Sequence, residues 1–563
     1  MKQRLTAACS GHGLELAGLA VILGVALWLR LIGLRAGLPG PGLLSPDENT
    51  VVPRSLNILT GETGNPHWFL YPSLYLYLVA GTVGALSPFI SVPSGVGFGS
   101  PEAYAVDPTP YILTGRAISV VAGLVLVIGT YLLGRRIAGL AAGFLAGGMM
   151  AVAPIAVGYS HLAVTDMTMV ALLTLGLWQL VIAAETSARR NLLWAAALIG
   201  LATSAKYNAG VAVLPLVGTA FVLARRSPEG PSGAWRSALT TSACWFGAFL
   251  VGTPYALLDA VRFVSDFARQ NRIVANGWLG FEDAGPGWRY NLQPILSGSI
   301  GTGMLVLAAV GLGLAAYRRR SFDLVLAPYA VLYFAYVSAW SAHFDRYLLP
   351  IIPVLVVLGA RAAVEVADEL AVRIRLPSTL TAGALGLAVL VPAALSSATL
   401  LSDYEQRDRR LDVVPVIEGV VPRGARIAVD PLGPPLVDRV TGQKLIAAGH
   451  AVHWLRLIRL QTPQPGTTPD PKRSLALLHR YRVRWVLTSS DIERRVRAAP
   501  RAYPREVAFY RGIRRHARPI YCVPASLGPG VTLWDLGSTG PARDANPAPS
   551  ATVRKIRSQA SRP

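Results

Sequence analysis

After a short polar start the chain enters an unbroken apolar run at residues 14–34. Similar runs recur at 116–134, 140–158, 163–184, 192–205, 208–224, 236–257, 299–317, 323–341, 347–362 and 379–401. Most of them reach or approach the ~17–25 residues that carry a helix across ~30 Å of hydrocarbon. No small-x-small cleavage site follows the first run and further runs come after it, so it reads as a retained helix. Basic clusters fall at every second connection: Lys2/Arg4, Arg135/Arg136, Arg189/Arg190, Arg225/Arg226, Arg318–Arg320, and Arg361 with Arg373/Arg375. Positive charge marks the cytoplasmic side. The pattern therefore predicts eleven spans, with the amino terminus inside and the carboxy terminus outside.

One run does not fit that alternation. Residues 67–90, "HWFLYPSLYLYLVAGTVGALSPFI", are apolar enough to cross, but a single crossing there would turn every later basic cluster outward. The aromatic load of this run (Trp68, Phe69, Tyr71, Tyr75, Tyr77) and Pro72 suit an interface. A juxtamembrane or re-entrant helix on the outer face is expected. The outer face then receives the long connections, 36–115 and 258–298, and everything after 401, and function concentrates where long loops are.

Beyond residue 401 the pattern changes. "RIAVDPL" (426–432) and "VRWVLTSS" (483–490) read as short buried strands, and "SLALLHRY" (474–481) as a helix before the second. The expected organisation is a transmembrane domain over 1–401, an extracytoplasmic α/β domain over 402–540, and a disordered tail over 541–563, rich in Pro, Ala, Ser and Arg.

Composition agrees with this. Of 563 residues 52% are hydrophobic and 15% charged, against about 25% charged in soluble domains. The class is a polytopic α-helical membrane protein with juxtamembrane helices in its first outer loop. The net charge is +22, and residues 402–563 hold 28 Lys and Arg against 13 Asp and Glu. Anionic lipid headgroups or phosphates suit such an excess, and nucleic acid does not suit a membrane-tethered chain. Cys9, Cys244 and Cys522 show no metal or disulfide spacing.

Ionisable residues at the ends of spans are expensive and mark function by default. Four groups fall on the outer side: the pair Asp47 and Glu48; Asp166, one turn inside a span; Lys206, at a hairpin tip; and His343, Asp345 and Arg346 at the entry to a later span. Each has a bland explanation, namely helix capping for the acidic pair, a structural hydrogen bond for Asp166, snorkelling for Lys206, an interfacial place for Arg346 and a structural role for His343. Taken together, cations suit a phosphate and a carboxylate suits a base for a hydroxyl. A polyprenyl-phosphate sugar would supply that phosphate at the interface, with its chain between the spans.

At these residues the chain resembles a known superfamily. "PDENTVVPRSLNILTG" (46–61), "YPSLYLYLVAG" (71–81), "GRAISVVAGLVLVIGTYLLGRRIAG" (115–139), "AVTDMTMV" (163–170) and "RYLLPIIPVLVVLGARA" (346–362) appear in the order and style of C-type glycosyltransferases. The nearest subfamilies are the protein O-mannosyltransferases and the bacterial lipid A aminoarabinose transferases. Residues 402–540 also resemble a carboxy-terminal domain of bacterial members. The resemblance implies an inverting transfer of sugar from a polyprenyl-phosphate donor to a protein, lipid or glycan hydroxyl outside the cytoplasm, in a bacterial inner or plasma membrane. It implies Asp47 as base with Glu48 adjacent, Asp166 as second acid, and Lys206 and Arg346 on the donor phosphate. His67, Tyr71, His343 and Trp288 are candidate sugar or acceptor contacts. Tyr71 stands before Pro72 where aminoarabinose transferases carry a basic residue, and His67 is the nearest basic candidate. Aromatic residues of 258–298 suit a sugar ring. No spacing calls for zinc; a divalent cation between Asp47 and Asp166 is the one cofactor left open. Two other readings are a flippase or transporter of a lipid-linked saccharide, and an envelope scaffold.

Overall fold

The computed structural model describes residues 2–537 except 41, 62, 93–94, 226–229 and 527. The tail 541–563, expected to be disordered, lies outside the described residues. The chain forms a helical body up to Tyr404 and a mixed sheet between Arg426 and Asp535.

Antiparallel hairpins build the body. Thr109–Val152 is a single run in name only: it breaks at Ala138 and Gly139, where Gly139 takes φ 82°. Its two arms touch through small residues. A Cβ at Gly134 would stand 2.9 Å from the Ala142 carbonyl oxygen, and one at Gly147 3.0 Å from Tyr131 Cβ. Such close approach is the usual glue between helices in lipid, where burial supplies no drive. Asp166–Thr186 and Arg189–Ala205 form the next hairpin, turning at Ser187 in the left-handed region. Asn191 donates to Gln179 near the turn (2.6 Å), and Gly176 faces Ile199 further along. That register brings Asp166 level with Lys206. Tyr207–Ala212 is a 3-10 turn continuing into Val213–Arg225, against which Gly230–Gly252 packs. Thr302–Arg318, Asp323–Ser338 and Ser378–Tyr404 surround Ile352–Ile374, which is buried continuously from Ile352 to Ala363.

This is a multi-pass membrane architecture. By length and composition, six helices among the described residues can cross, or seven if the bent pair Gly287–Ile300 and Thr302–Arg318 counts as one span. Eleven were expected. The difference has physical causes. The two arms of Thr109–Val152 count once, Arg189–Ala205 and Asp323–Ser338 have 17 and 16 residues, and Gly230–Gly252 carries Arg236 with several Ser and Thr. In the segment 67–90 the helix is Leu74–Ala85, 12 residues. At 1.5 Å per residue it covers about 18 Å, short of a crossing. It packs Tyr75, Leu76, Val79 and Val83 on Val51, Val52 and Leu56 of the helix Glu48–Thr60. Arg30, within the first apolar helix and fully buried, has carbonyl partners at Ala26 (3.0 Å), Ala151 (3.0 Å) and Met150 (3.2 Å). It thereby satisfies the carboxyl end of a neighbouring helix.

The sheet has six strands: β1 Arg426–Val429, β2 Val437–Asp438, β3 Trp454–Arg459, β4 Trp485–Ser489, β5 Arg518–Val523 and β6 Val531–Asp535. Their order is β2-β3-β1-β4-β6-β5. The first four are parallel, and β6 and β5 are antiparallel additions. The sheet region is anchored to the body. Leu279, from the connection after helix Ala260–Asn276, is part of its apolar core, and Lys444 pairs with Glu102 at 2.8 Å.

Candidate active site

Asp47 immediately precedes the helix Glu48–Thr60, and its side chain makes no capping hydrogen bond. The capping explanation therefore fails for it. Its Oδ2 instead accepts from Tyr71 Oη at 3.1 Å and forms a close ion pair with Arg346 Nη1. Arg346 opens the 3-10 turn Asp345–Ile351, and its guanidinium lies 4.9 Å from the Phe344 ring centroid. The hairpin register delivers the second pair, Lys206 Nζ to Asp166 Oδ1 at 2.6 Å, with both side chains almost fully buried. Lys206 Nζ also stands 5.7 Å from the ring centroids of Tyr71 and Tyr347. The structure thus brings Asp47, Asp166, Lys206 and Arg346 together, with Tyr71 at their centre.

Electrostatics set protonation at the rim. Burial opposes the charge on Asp47, but Arg346, through its field and its hydrogen bond, and then Lys206 outweigh it and hold the carboxyl below the ordinary 3.8. Burial, then the Asp47 charge, raises the Tyr71 hydroxyl well above its usual value, so it stays a donor.

Glu48, expected to be a second acid beside Asp47, faces the other way. Its two oxygens take Arg116 Nε (2.8 Å) and Nη2 (2.9 Å), and Oε1 also accepts from the Ala163 backbone N–H (2.9 Å). Arg116 Nη1 donates in turn to the carbonyls of Leu34 (2.7 Å) and Ala36 (2.9 Å). Both side chains are at most 1% exposed. This carboxylate has no face left for a substrate and fastens the first outer loop to two helical hairpins.

The outlying candidates separate as well. His67 is 69% exposed, with Nδ1 3.6 Å from Asp259, away from the four. His343 is buried, with Phe281 and Tyr290 rings 5.8 and 5.3 Å away, and burial lowers its pKa. Trp288 is 57% exposed on the short helix Gly287–Tyr290. The aromatic residues of 258–298 act as a strap: Phe281 packs edge-on against Phe344 (5.1 Å), the ring beneath Arg346.

A cation between Asp47 and Asp166 is not accommodated by this arrangement. Each carboxylate faces a basic side chain, and among the described residues no three metal-ligating groups converge.

A groove runs from Lys206 along one face of Tyr207–Arg225, a feature that linear periodicity does not reveal. Its first part has a volume of about 590 Å³, with Tyr71, Lys206 and Tyr347 at the head and Trp245, Phe249 and Phe263 among its apolar walls. A second part of about 360 Å³ shares Leu214 and Leu332 with it and continues past Gly218 and Val222 between Val213–Arg225 and Asp323–Ser338. The positions 207, 211, 214, 218 and 222 recur at helical spacing.

Several solved structures share this architecture, two of them as follows. The Archaeoglobus fulgidus oligosaccharyltransferase in its apo form aligns over 91% of this chain and 74% of its own, at 13% identity and TM-score 0.56. ArnT from Cupriavidus metallidurans in the apo state aligns over 93% and 98%, at 16% identity and TM-score 0.54, and that protein is also known bound to undecaprenyl phosphate. No curated protein sequence matches the chain. The chain shares the fold of these two membrane proteins. Residues 112–251 match the family model of dolichyl-phosphate-mannose-protein mannosyltransferase.

Proposed function

We propose that the protein is a membrane glycosyltransferase that moves a sugar from a polyprenyl-phosphate donor to an acceptor hydroxyl on the extracytoplasmic side. One observation carries this reading: a long apolar groove ends at a buried lysine, and the Asp47–Arg346 pair stands beside that end. A polyprenyl tail fits the groove and its phosphate meets Lys206 and Arg346. The tail leaves one apolar medium for another, so it adds little affinity, and the phosphate contacts carry most of it.

In the reaction Asp47 takes the acceptor proton as the hydroxyl oxygen attacks C1. The C1–O bond to phosphate breaks, and polyprenyl phosphate leaves with the electron pair. One displacement inverts C1. A phosphate leaves as an anion, so Lys206 and Arg346 stabilise the departing charge without an acid. Asp166 positions Lys206. Donor binding also has a second effect. Without donor, the paired Arg346 and the field of Lys206 weaken Asp47 as a base; a bound phosphate draws on both cations and lets the affinity of Asp47 for a proton rise. The base is then strongest when the donor is in place.

Residues 1–401 form the transferase body in this reading and 402–540 an accessory unit on the same face. Dolichol and undecaprenyl phosphates, bound by the structural neighbours, indicate the donor class. The charges gather at one end of the bundle, whereas a flippase needs a site near the midplane that alternates its access. The test is purified protein in vesicles with a panel of radiolabelled polyprenyl-phosphate sugars and with protein, lipid and glycan acceptors. At least one donor passes its label to an acceptor with inverted C1. Translocation of intact donor without any transfer overturns the reading.

A further inference from the structure

The sheet region holds a cavity of its own, about 290 Å³, walled by residues of 461–470 and 501–506. It lies at the carboxyl ends of parallel strands: Asp430 follows β1, Gln461 lies just beyond β3, and Ser489 ends β4. Strand order reverses about β1, with β3 and β2 on one side and β4 on the other. In open α/β sheets ligands bind at that edge and at that reversal.

The floor is rigid and neutral. Arg473 Nη1 pairs with Asp430 Oδ1 (2.9 Å) and donates to Tyr510 Oη (2.8 Å), while Nη2 donates to the Gln461 carbonyl (3.0 Å). Asp430 Oδ2 accepts from Tyr510 Oη (2.8 Å) and the Ser489 N–H (3.1 Å). One buried ion pair therefore ties the ends of three strands together.

The walls decide the ligand class. Arg501 and Arg505 balance Asp470 and Glu506 in the walls, and the third lining arginine, Arg473, is neutralised by Asp430 beneath it. Gln464, Thr467 and Thr468 add neutral donors and acceptors. Asp470 is already engaged by the N–H groups of Gln461 and Lys472. Glu506 also lines the cavity and is 3% exposed. A carboxylate facing a cavity accepts from the donors a ligand brings. A phosphate or polyanion would meet two carboxylates, and an apolar ligand would leave the polar walls unsatisfied. We infer that this cavity binds a neutral saccharide unit, whose hydroxyl groups both donate and accept, with Glu506 as an acceptor for one of them and the Tyr503 ring as a wall. Tyr503 also donates to Glu282 of the strap that reaches Phe344 and Arg346, so the cavity adjoins the loop bordering the four-residue site.

The test is saturation-transfer NMR on the full-length protein in detergent. The probes are the methyl glycosides of mannose, glucose and galactose, with glucose 6-phosphate and glucuronate as charged counterparts. No sugar transfer is needed, so the result is independent of the proposed reaction. At least one neutral glycoside is expected to receive saturation, with affinity weakened about tenfold in Glu506→Gln and in Gln464→Ala, the latter on a partly exposed loop whose loss leaves the fold intact. Asp47→Asn leaves the signal unchanged. The inference is overturned if no neutral glycoside gives a signal, if only charged probes do, if the signal survives both cavity variants, or if Asp47→Asn abolishes it.

Discussion

Glu48 and Asp47 are neighbours in sequence with opposite assignments, and Glu48→Gln separates them. The substitution keeps shape and removes charge. Glu48 now accepts three hydrogen bonds, two of them from Arg116. Glutamine offers one acceptor oxygen and turns an amide NH₂ toward a guanidinium. Arg116 then carries a buried charge without a counterion, since its remaining contacts are the two carbonyls of Leu34 and Ala36. Breaking one side of a buried pair costs about 3–5 kcal/mol. In a chain of this size that lowers the midpoint of thermal unfolding by on the order of 5 °C. The assay is thermal unfolding of purified protein in detergent, paired with transfer rate per folded molecule. The expected result is reduced stability with folded molecules retaining most of their rate. Replacing the pair together, Glu48→Leu with Arg116→Met, recovers part of the loss, because no charge is left stranded; the orphaned carbonyls of Leu34 and Ala36 limit the recovery. A Glu48→Gln protein with wild-type stability and no transfer would refute the assignment and return Glu48 to the chemistry.

Three further predictions concern the groove and its head. Lys206→Met lowers kcat/KM for the donor by about 10²-fold, the worth of a charge-assisted contact to phosphate of roughly 3 kcal/mol; a change below threefold in label transfer at varied donor concentration contradicts the phosphate role. Asp47 has a lowered folded pKa, so it is ionised, and its pair with Arg346 stabilises the fold, at pH above the ordinary Asp value, the contribution fading as pH falls through the lowered one. The acid limb of kcat/KM therefore lies below 3.8 in the wild type and moves upward in Arg346→Gln; an unmoved limb in the pH profile speaks against the pairing. Leu214→Trp narrows the junction of the two groove parts and raises KM about tenfold for an undecaprenyl donor, while a donor of two isoprene units is little affected, and equal effects on both rule out the groove as the tail path.

What could be read from sequence follows the range of the interaction. The hairpin of Asp166–Thr186 and Arg189–Ala205 has a two-residue turn, so the level pairing of Asp166 and Lys206 is implicit in the spacing of polar residues at its open end. In the aromatic, Pro-containing segment 67–90, where a crossing would break the charge alternation, the apolar helix Leu74–Ala85 is 12 residues long. The strands at 426–429 and 485–489 and the helix at 475–480 lie inside the segments where alternation and apolarity placed them. The partner of Glu48 was not legible. Arg116 is 68 residues away in a helix whose apolar pattern hides one arginine, and nothing local distinguishes a locked carboxylate from a reactive one. The groove was equally hidden, since its walls come from segments whose apolar faces look the same in sequence whether they meet a neighbour or leave a gap. The span count of eleven stands against six or seven helices that pass on length and composition, where a glycine-broken hairpin and short helices blur the length rule.

The central claim is that Asp47 acts as the base and that Lys206 and Arg346 hold the donor phosphate. It is tested most directly by measuring donor binding and single-turnover transfer together in Asp47→Asn. The account predicts polyprenyl-phosphate binding at least as tight as wild type, because Arg346 is freed, with transfer slowed by about 10²–10⁴-fold. Transfer at the wild-type rate, or lost binding with normal turnover of the donor that does bind, would contradict it.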